Sequence, residues 1–340
     1  MDELSGLLDG PRARGAFLLR CLLDPPWSVC LRDEAPLSVT AVVRGHAWLL
    51  PTGGEAVRLA PGDLAVLRGR AGSAYAVIAD DPATPVQAVI HPGQVCRTPD
   101  GRELAEEMHQ GVRSWGNAAV GETVLLTGAY AVDGEVGARL LRALPDVVVV
   151  RADEVDGPLV DLLAIEMVRD APGQQAVLDR LLDLLLIAVL RAWFDRPGAE
   201  PPGWWTAQAD PVVGPALRLM QHHPEHPWTV AGLADAAGVS RAAFARRFHE
   251  QVGQPPMGFL TEWRLELAAD LLLEPASTVA SVARRVGYGS PFALSAAFTR
   301  RRGESPKEWR ARSRDTSPQA ARRPSSTVSA TASNTSHQSG

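Results

Sequence analysis

The stretch Val230-Ala231-Gly232-Leu233-Ala234-Asp235-Ala236-Ala237-Gly238-Val239-Ser240-Arg241 is followed by Phe244 and Phe248. About fifty residues further on, Val279-Ala280-Ser281-Val282-Ala283-Arg284-Arg285-Val286-Gly287-Tyr288-Gly289-Ser290-Pro291 is followed by Leu294 and Phe298. Each copy reads as helix, turn, helix. In the first, Ala234 is small where two helices cross, Gly238 suits the left-handed backbone of the turn, and Ser240 can cap the next helix. Phe244 and Phe248, four apart, hold that helix to a core and leave Arg241, Ala242, Ala245 and Arg246 on its outer face. In the second, Ser290 and Pro291 supply an N-cap followed by proline at the first helical position. Between the copies, Pro255-Pro256 opens a helix through Phe259, Trp263, Leu267 and Leu271. At about 1.5 Å per residue it is long enough to link the two units. One helical hairpin can arise in any α domain, whereas two with matching caps specify a paired helix-turn-helix domain.

Residues 210–312 resemble the C-terminal DNA-binding domain of the AraC/XylS family of transcription regulators. The likeness is carried by Val282-Ala283-Arg284-Arg285-Val286-Gly287-Tyr288, by Phe298, and by Gly303-Glu304-Ser305-Pro306-Lys307-Glu308-Trp309-Arg310. The resemblance implies that the helices beginning at Ser240 and Ser290 enter successive major-groove segments on one face of double-stranded DNA. Arg241 and Arg246 are then the candidate readers of guanine edges, and Arg284, Arg285, Arg300, Arg301 and Arg302 the candidate phosphate contacts. The second helix departs from the family pattern. Its exposed positions are Phe292, Ala293, Ser295 and Ala296, where the family often carries a polar residue or arginine. That face is expected to use few hydrogen bonds and to meet thymine methyls or the DNA backbone. Internal packing of Phe292 and Ala296 is the alternative.

Charge divides the chain in the same place. Residues 1–209 hold 18 Arg against 28 Asp plus Glu, a net of −10, whereas residues 210–312 hold 13 Arg plus Lys against 10 acids, a net of +3. An overall net of −5 thus conceals a basic C-terminal third, as expected where one domain alone has an anionic partner. Lys307 is the sole lysine and sits in Ser305-Pro306-Lys307, so no phosphate-cradling glycine loop with its lysine is present. Cys21, Cys30 and Cys96 lack zinc spacing and are odd in number, which fits reduced thiols rather than a disulfide scaffold. The longest apolar run, Leu184 to Leu190, is far short of a membrane span. The acidic start Met1-Asp2-Glu3 is unlike a secretory leader, so a cytoplasmic protein without membrane contact is expected.

Ahead of the basic third, Arg196 to Ala209 contains Pro197, Gly198, Pro201, Pro202 and Gly203 and reads as a linker, with Trp204 and Trp205 more apolar than a free linker needs. Residues 37–90 alternate short apolar runs with turn signals: Leu37 to Val43, Ala47 to Leu50, Val57 to Leu59 and Leu64 to Leu67. Glu122 to Tyr130 and Val147 to Val150 read as further strands on either side of segments without strand signals, His91 to Gly121 being polar and irregular. This spacing predicts a small antiparallel barrel or sandwich. Leu159 to Met167 and Val177 to Phe194 carry apolar residues at helical spacing and close the domain. The second is apolar around much of its circumference, with Leu184 and Ile187 outside the main stripe, and is expected to cover a partner subunit as well.

The first 195 residues resemble the cupin-like sensor domain of a subset of the same family, through Val57-Arg58-Leu59-Ala60-Pro61-Gly62-Asp63-Leu64 and Leu125-Leu126-Thr127-Gly128-Ala129-Tyr130. Metal-binding cupins need several histidines and a carboxylate converging in the barrel. Here Ser73 stands where such domains often keep a histidine, and His46 is alone on its strand. No metal, cofactor or catalytic residue is therefore expected. Related regulators that respond to reactive chlorine species carry a cysteine in the stretch of Cys21, so the resemblance implies a redox role for Cys21. Their second cysteine falls where this chain has Thr127, leaving Cys30 or Cys96 as substitutes.

The sequence thus specifies a multidomain chain. A β-rich cupin-like sensor and dimerisation domain with helices occupies 1–195, a linker 196–209, an all-α domain with two helix-turn-helix motifs 210–312, and a disordered tail 313–340. The expected function is sequence-specific transcription regulation, with the front domain sensing a small molecule or oxidant, forming a homodimer, and governing promoter binding or contact with RNA polymerase. A cupin-type metal-dependent enzyme fused to a DNA-binding module is the competing reading, and a constitutive DNA-binding protein whose front domain only dimerises is a third.

Overall fold

The computed structural model describes residues 17–69, 72–111, 113–130, 134–155 and 157–316. The front part builds two facing sheets. The seven-stranded sheet runs β10(His109–Gly111)-β11(Ser114–Gly116)-β1(Phe17–Leu23)-β12(Thr123–Tyr130)-β3(Leu37–Arg44)-β6(Leu64–Leu67)-β13(Val147–Val150). The six-stranded sheet runs β5(Val57–Leu59)-β4(Ala47–Pro51)-β7(Ala76–Ala79)-β2(Ser28–Leu31)-β8(Ala88–His91)-β9(Val95–Arg97). The larger sheet is covered on both faces, and the alternation of its strands shows why. Leu37, Val39 and Ala41 of β3 and Leu64 and Val66 of β6 point to a helical layer. Val42 of β3 and Ala65 and Leu67 of β6 point into the barrel beside Leu49, Ile78 and Trp115.

The helical layer comprises α1(Gly134–Ala143), α2(Leu159–Met167) and α3(Gln174–Phe194). In α3, Leu178, Leu182, Leu185, Leu186, Val189 and Leu190 are buried, and Leu184 is 46% exposed. The stretch from His91 to Gly121 is more ordered than its composition suggests, because β9, β10 and β11 lie within it as three-residue strands too short to show an alternating pattern. The Glu135 and Val136 N–H groups at the start of helix α1 are satisfied from a distant part of the chain, as described below.

The connection 196–209 is not an open tether. It holds α4(Gly203–Thr206) and a short 3-10 turn, Ala207–Ala209, with Trp204 and Ala207 buried. Phe194 at the end of α3 stacks on Trp205 with ring centroids 4.8 Å apart and meets Trp204 edge-on at 6.4 Å. One apolar core consequently continues from the front sheet through α3 and the tryptophans into the first helix-turn-helix unit.

That unit comprises α5(Val213–His222), α6(Val230–Ala236) and α7(Arg241–Val252); α8(Pro256–Leu273) joins it to α9(Val279–Arg285), α10(Pro291–Arg302) and α11(Pro306–Thr316). Residues 313–316, placed in the tail by composition, belong to α11, and the rest of that tail, 317–340, lies outside the described residues, as do 1–16. No helix among the described residues is long and apolar enough to cross a membrane.

Candidate nucleic-acid interface

Both recognition helices are set by the capping residues that the sequence supplies. Ser240 Oγ accepts from the Ala243 N–H at 3.3 Å, and Ser290 Oγ accepts from the Ala293 N–H at 3.1 Å. Thr229 and Thr278 cap α6 and α9 in the same way. Phe244 and Phe248 are fully buried on Phe259 of α8, and Leu294 and Phe298 are fully buried against Trp309 of α11. Trp309 donates its indole N–H to the Ala269 carbonyl at 3.1 Å, fixing the second unit to the connector. The turn before α10 holds Gly287 at φ +80, where a Cβ would come within 2.6 Å of the Pro224 carbonyl and 2.9 Å of Glu225 Cα. Only glycine permits that approach of the second unit to the loop after α5.

With these anchors in place, Arg241, Ala242 and Arg246 are exposed on α7 and Ala245 is half-buried. Arg246 lies 3.8 Å from Glu250 on its own helix, an exposed pair that binding can break at little cost. Arg247, not singled out by the sequence, is committed to Asp210 at 2.8 Å and pins α7 to the start of α5. On α10, Pro291, Phe292, Ala293 and Ala296 are exposed, so Phe292 and Ala296 do not pack internally.

Of the arginines expected on phosphates, Arg284 and Arg300 are exposed without an ion-pair partner among the described residues. Arg285 pairs with Glu274 at 2.6 Å and Arg301 with Glu262 at 2.5 Å, both on the surface. Arg302 corrects the expectation. Its side chain is only 15% exposed, lies between the rings of Phe298 and Trp309, and pairs at 3.1 Å with Glu135 of α1. The structure places it at the domain boundary rather than on the outer surface, because the two rings draw its stem inward.

That boundary is built of charges. Asp270 of α8 caps α1 from across the domains, its carboxylate accepting the N–H groups of Glu135 at 2.6 Å and Val136 at 3.2 Å. Arg139 of α1 reaches Glu266 of α8 at 3.1 Å with both side chains under 15% exposed, and its guanidinium sits over Phe259 at 4.9 Å. Arg142 adds a second contact to Glu266 at 3.3 Å. Burial pushes the Glu266 carboxyl up, and pushes Asp270 up to about 6 against the opposing pull of its two backbone donors.

The barrel interior holds a mostly apolar cavity walled by Leu19, Cys21, Trp27, Ile90, Trp115 and Leu125, with Thr127, Asp33 and Gln94 among its polar groups. It shares Leu19, Ile90, Gln94 and Trp115 with an open groove of about 660 Å³ that also carries His109, Arg113 and Gln175. The Trp27 indole N–H is buried and has no partner among the described residues. Thr127 lies beside Cys21, as the resemblance implies, and hydrogen-bonds it. Burial pushes the Cys21 thiol up to about 12 and Cys96 to about 11, so neither favours the thiolate that oxidants attack. His46 and Ser73 are exposed rather than inside the barrel, and no three His, Cys, Asp or Glu side chains among the described residues are grouped to hold a metal.

A β-barrel with a helical layer, joined to two capped helix-turn-helix units that display arginine, defines a two-domain DNA-binding regulator. Comparison with known proteins agrees. A cupin family model matches residues 2–195 and a helix-turn-helix domain model residues 233–312. An AraC-like transcription regulator of Streptomyces lividans is 34% identical over 318 residues, covering 91% of this chain and 98% of that protein. The HTH-type transcriptional regulator AlkR of Acinetobacter baylyi is 35% identical over 188 residues, 54% of this chain and 61% of that protein. The crystal structure of the DNA-binding domain of AdpA, a global transcriptional factor, in complex with a target DNA is 36% identical. It covers 33% of this chain and 99% of that one, with a TM-score of 0.31. The chain belongs to the AraC-type transcription regulators, in the group with a cupin front domain, and its relatives are named as regulators rather than enzymes.

Proposed function

We propose that this DNA-binding regulator senses a small, largely apolar molecule in the barrel and transmits its presence through α1 to the two DNA-binding units. The carrying observation is the docking of α1 on α8, since α8 is the helix that links both units. The cavity of about 60 Å³, the open groove that shares four of its walls, and the buried unpaired N–H of Trp27 favour a compact ligand that offers a hydrogen-bond acceptor. The raised thiols favour such a ligand over an oxidant acting on Cys21.

In this reading residues 1–195 sense and dimerise, and 210–312 bind promoter DNA. Arg241 and Arg246 meet base edges, with Ser240, Ala242 and Ala245 at the same helix start. Ser290, Pro291, Phe292 and Ala296 of α10 face the second groove segment, and Arg284, Arg285, Arg300 and Arg301 meet phosphates. A homodimer forms through α2 and α3, whose outer faces expose Leu162, Ile165, Val177 and Leu184, with Val168 exposed just after α2. The regulator then acts through promoter occupancy or contact with RNA polymerase.

The test is selection of bound sequences from random duplex DNA at fixed salt, with the full-length protein and with Leu184→Glu. One enriched motif, repeated as two half-sites only for the unsubstituted protein, is expected. No enriched motif, with or without a small-molecule library present, would overturn the reading.

A further inference from the structure

Phe292 is 83% exposed, the largest exposure of any large apolar side chain among the described residues, and every other exposed one belongs to the front domain. It stands in the first turn of α10, directly after Pro291, where a recognition helix presents side chains to base edges. Around it the helix offers little else to read with. Ala293 and Ala296 are methyl groups, and the half-buried Ser295 hydroxyl donates its proton to the Pro291 carbonyl at 2.9 Å and keeps only its acceptor. The corresponding face of α7 carries Arg241 and Arg246. The two recognition helices therefore have opposite chemistries, one cationic and hydrogen-bonding, the other apolar.

We propose that Phe292 is a specificity-determining residue that reads thymine through its 5-methyl group in the segment faced by α10. In the major groove that methyl is the one apolar feature that separates thymine from the other bases. A phenyl ring flanked by alanine methyls has no hydrogen bond to offer guanine, cytosine or adenine. The operator is therefore asymmetric within each protomer's site, with guanine read by α7 and thymine by α10. This inference rests on the reading that α10 lies in the major groove.

The experiment uses the full-length protein and the duplex selected by it. Hydroxyl-radical footprinting first locates the protected stretches, two in each half-site, and each thymine within them is then replaced by uracil, which keeps every hydrogen-bonding group and removes only the methyl. The expected result is about a fourfold loss of affinity at one or two positions of a single stretch, the worth of one buried methyl each. Phe292→Ala is expected to bind thymine and uracil duplexes alike while keeping its melting temperature and its footprint. Uracil tolerated at every position, or equal uracil sensitivity in Phe292→Ala, would overturn the assignment while leaving α10 in the groove. A single protected stretch in each half-site would overturn both that placement and the thymine contact.

Discussion

Replacing Arg139 by alanine is expected to undock the two domains. Arg139 and Glu266 are 12% and 14% exposed and 3.1 Å apart, so the substitution strands a buried carboxylate. Breaking such a pair costs about 3–5 kcal/mol. Arg142 stays within 3.3 Å of Glu266 and offsets part of this, leaving about 2–3 kcal/mol. The guanidinium over the Phe259 ring contributes about 0.5–1 kcal/mol more. A total near 3 kcal/mol corresponds to a shift of about 150-fold in the docking equilibrium. The assay is limited proteolysis within 196–209, where Trp204 meets Phe194 and Arg139 of the front domain, alongside calorimetric unfolding. The expected result is faster cleavage there and a melting profile that separates into two transitions. Replacing both partners, as Arg139→Met with Glu266→Leu, should restore most of the protection, because two apolar groups need no partner. Cleavage and melting of Arg139→Ala indistinguishable from the unsubstituted protein would refute the reasoning, as would a double variant worse than the single one.

Docking should also weaken as pH rises. Asp270 holds its proton up to about pH 6 when docked, where it is buried with Glu135 and Arg302 facing it, and only to the ordinary carboxylate range when released. The raised value therefore gives stability that is complete below the ordinary range and lost by the time pH passes about 6. Glu266, also raised, acts in the same direction; protection of 196–209 that is flat between pH 5 and 7, or that increases, would contradict this. Gly287→Ala is expected to destabilise the DNA-binding half by at least about 1–2 kcal/mol, from the positive φ and the 2.6 Å approach to Pro224, as read by its melting temperature. Arg246→Ala should cost about 1–3 kcal/mol at one base pair and relax the preference there, and an equal loss on all sequences would move Arg246 to the phosphates.

Much of the fold is legible in the residues alone because their signals are local. Strands β5, β6 and β13 and helix α2 fall at the expected residues, each being a short apolar run or a helical stripe bounded by turns. The two helix-turn-helix units are legible for the same reason, since Ser240, Ser290 and the spaced phenylalanines sit within one or two turns of what they organise. What stays hidden is long-range. Helix α1 contains Gly137 and takes an N-terminal acceptor from Asp270, 135 residues from Glu135, a contact that no local window can show. Proline and glycine in 196–209 signal a loop truthfully, but the packing of Trp204 depends on Phe194 and Arg139. Arg302 lies four residues after Phe298 on the buried stripe of α10, but its pairing with Glu135 and its place beside Trp309 depend on other parts of the chain.

Helix α1 is the element that joins these observations. Leu125 and Thr127 of β12 wall the barrel cavity, Leu126 and Tyr130 of the same strand face the helical layer, and Tyr130 donates its hydroxyl to the Leu182 carbonyl of α3. Helix α1 follows β12 in the chain, buries Val136 and Leu140 against this layer, and turns Glu135 and Arg139 toward the DNA-binding half. One strand and one helix therefore separate the cavity from the connector α8 and the end of α10. Packed interfaces of this kind hold discrete arrangements and do not deform smoothly. A ligand can move the docking equilibrium only by the difference in its affinity for the docked and released states. A molecule that fills the cavity equally well in both changes nothing at the DNA, however tightly it binds. Effective ligands in the proposed scheme are those whose fit depends on where β12 stands relative to the helical layer, and occupancy of the barrel alone is a poor guide to them.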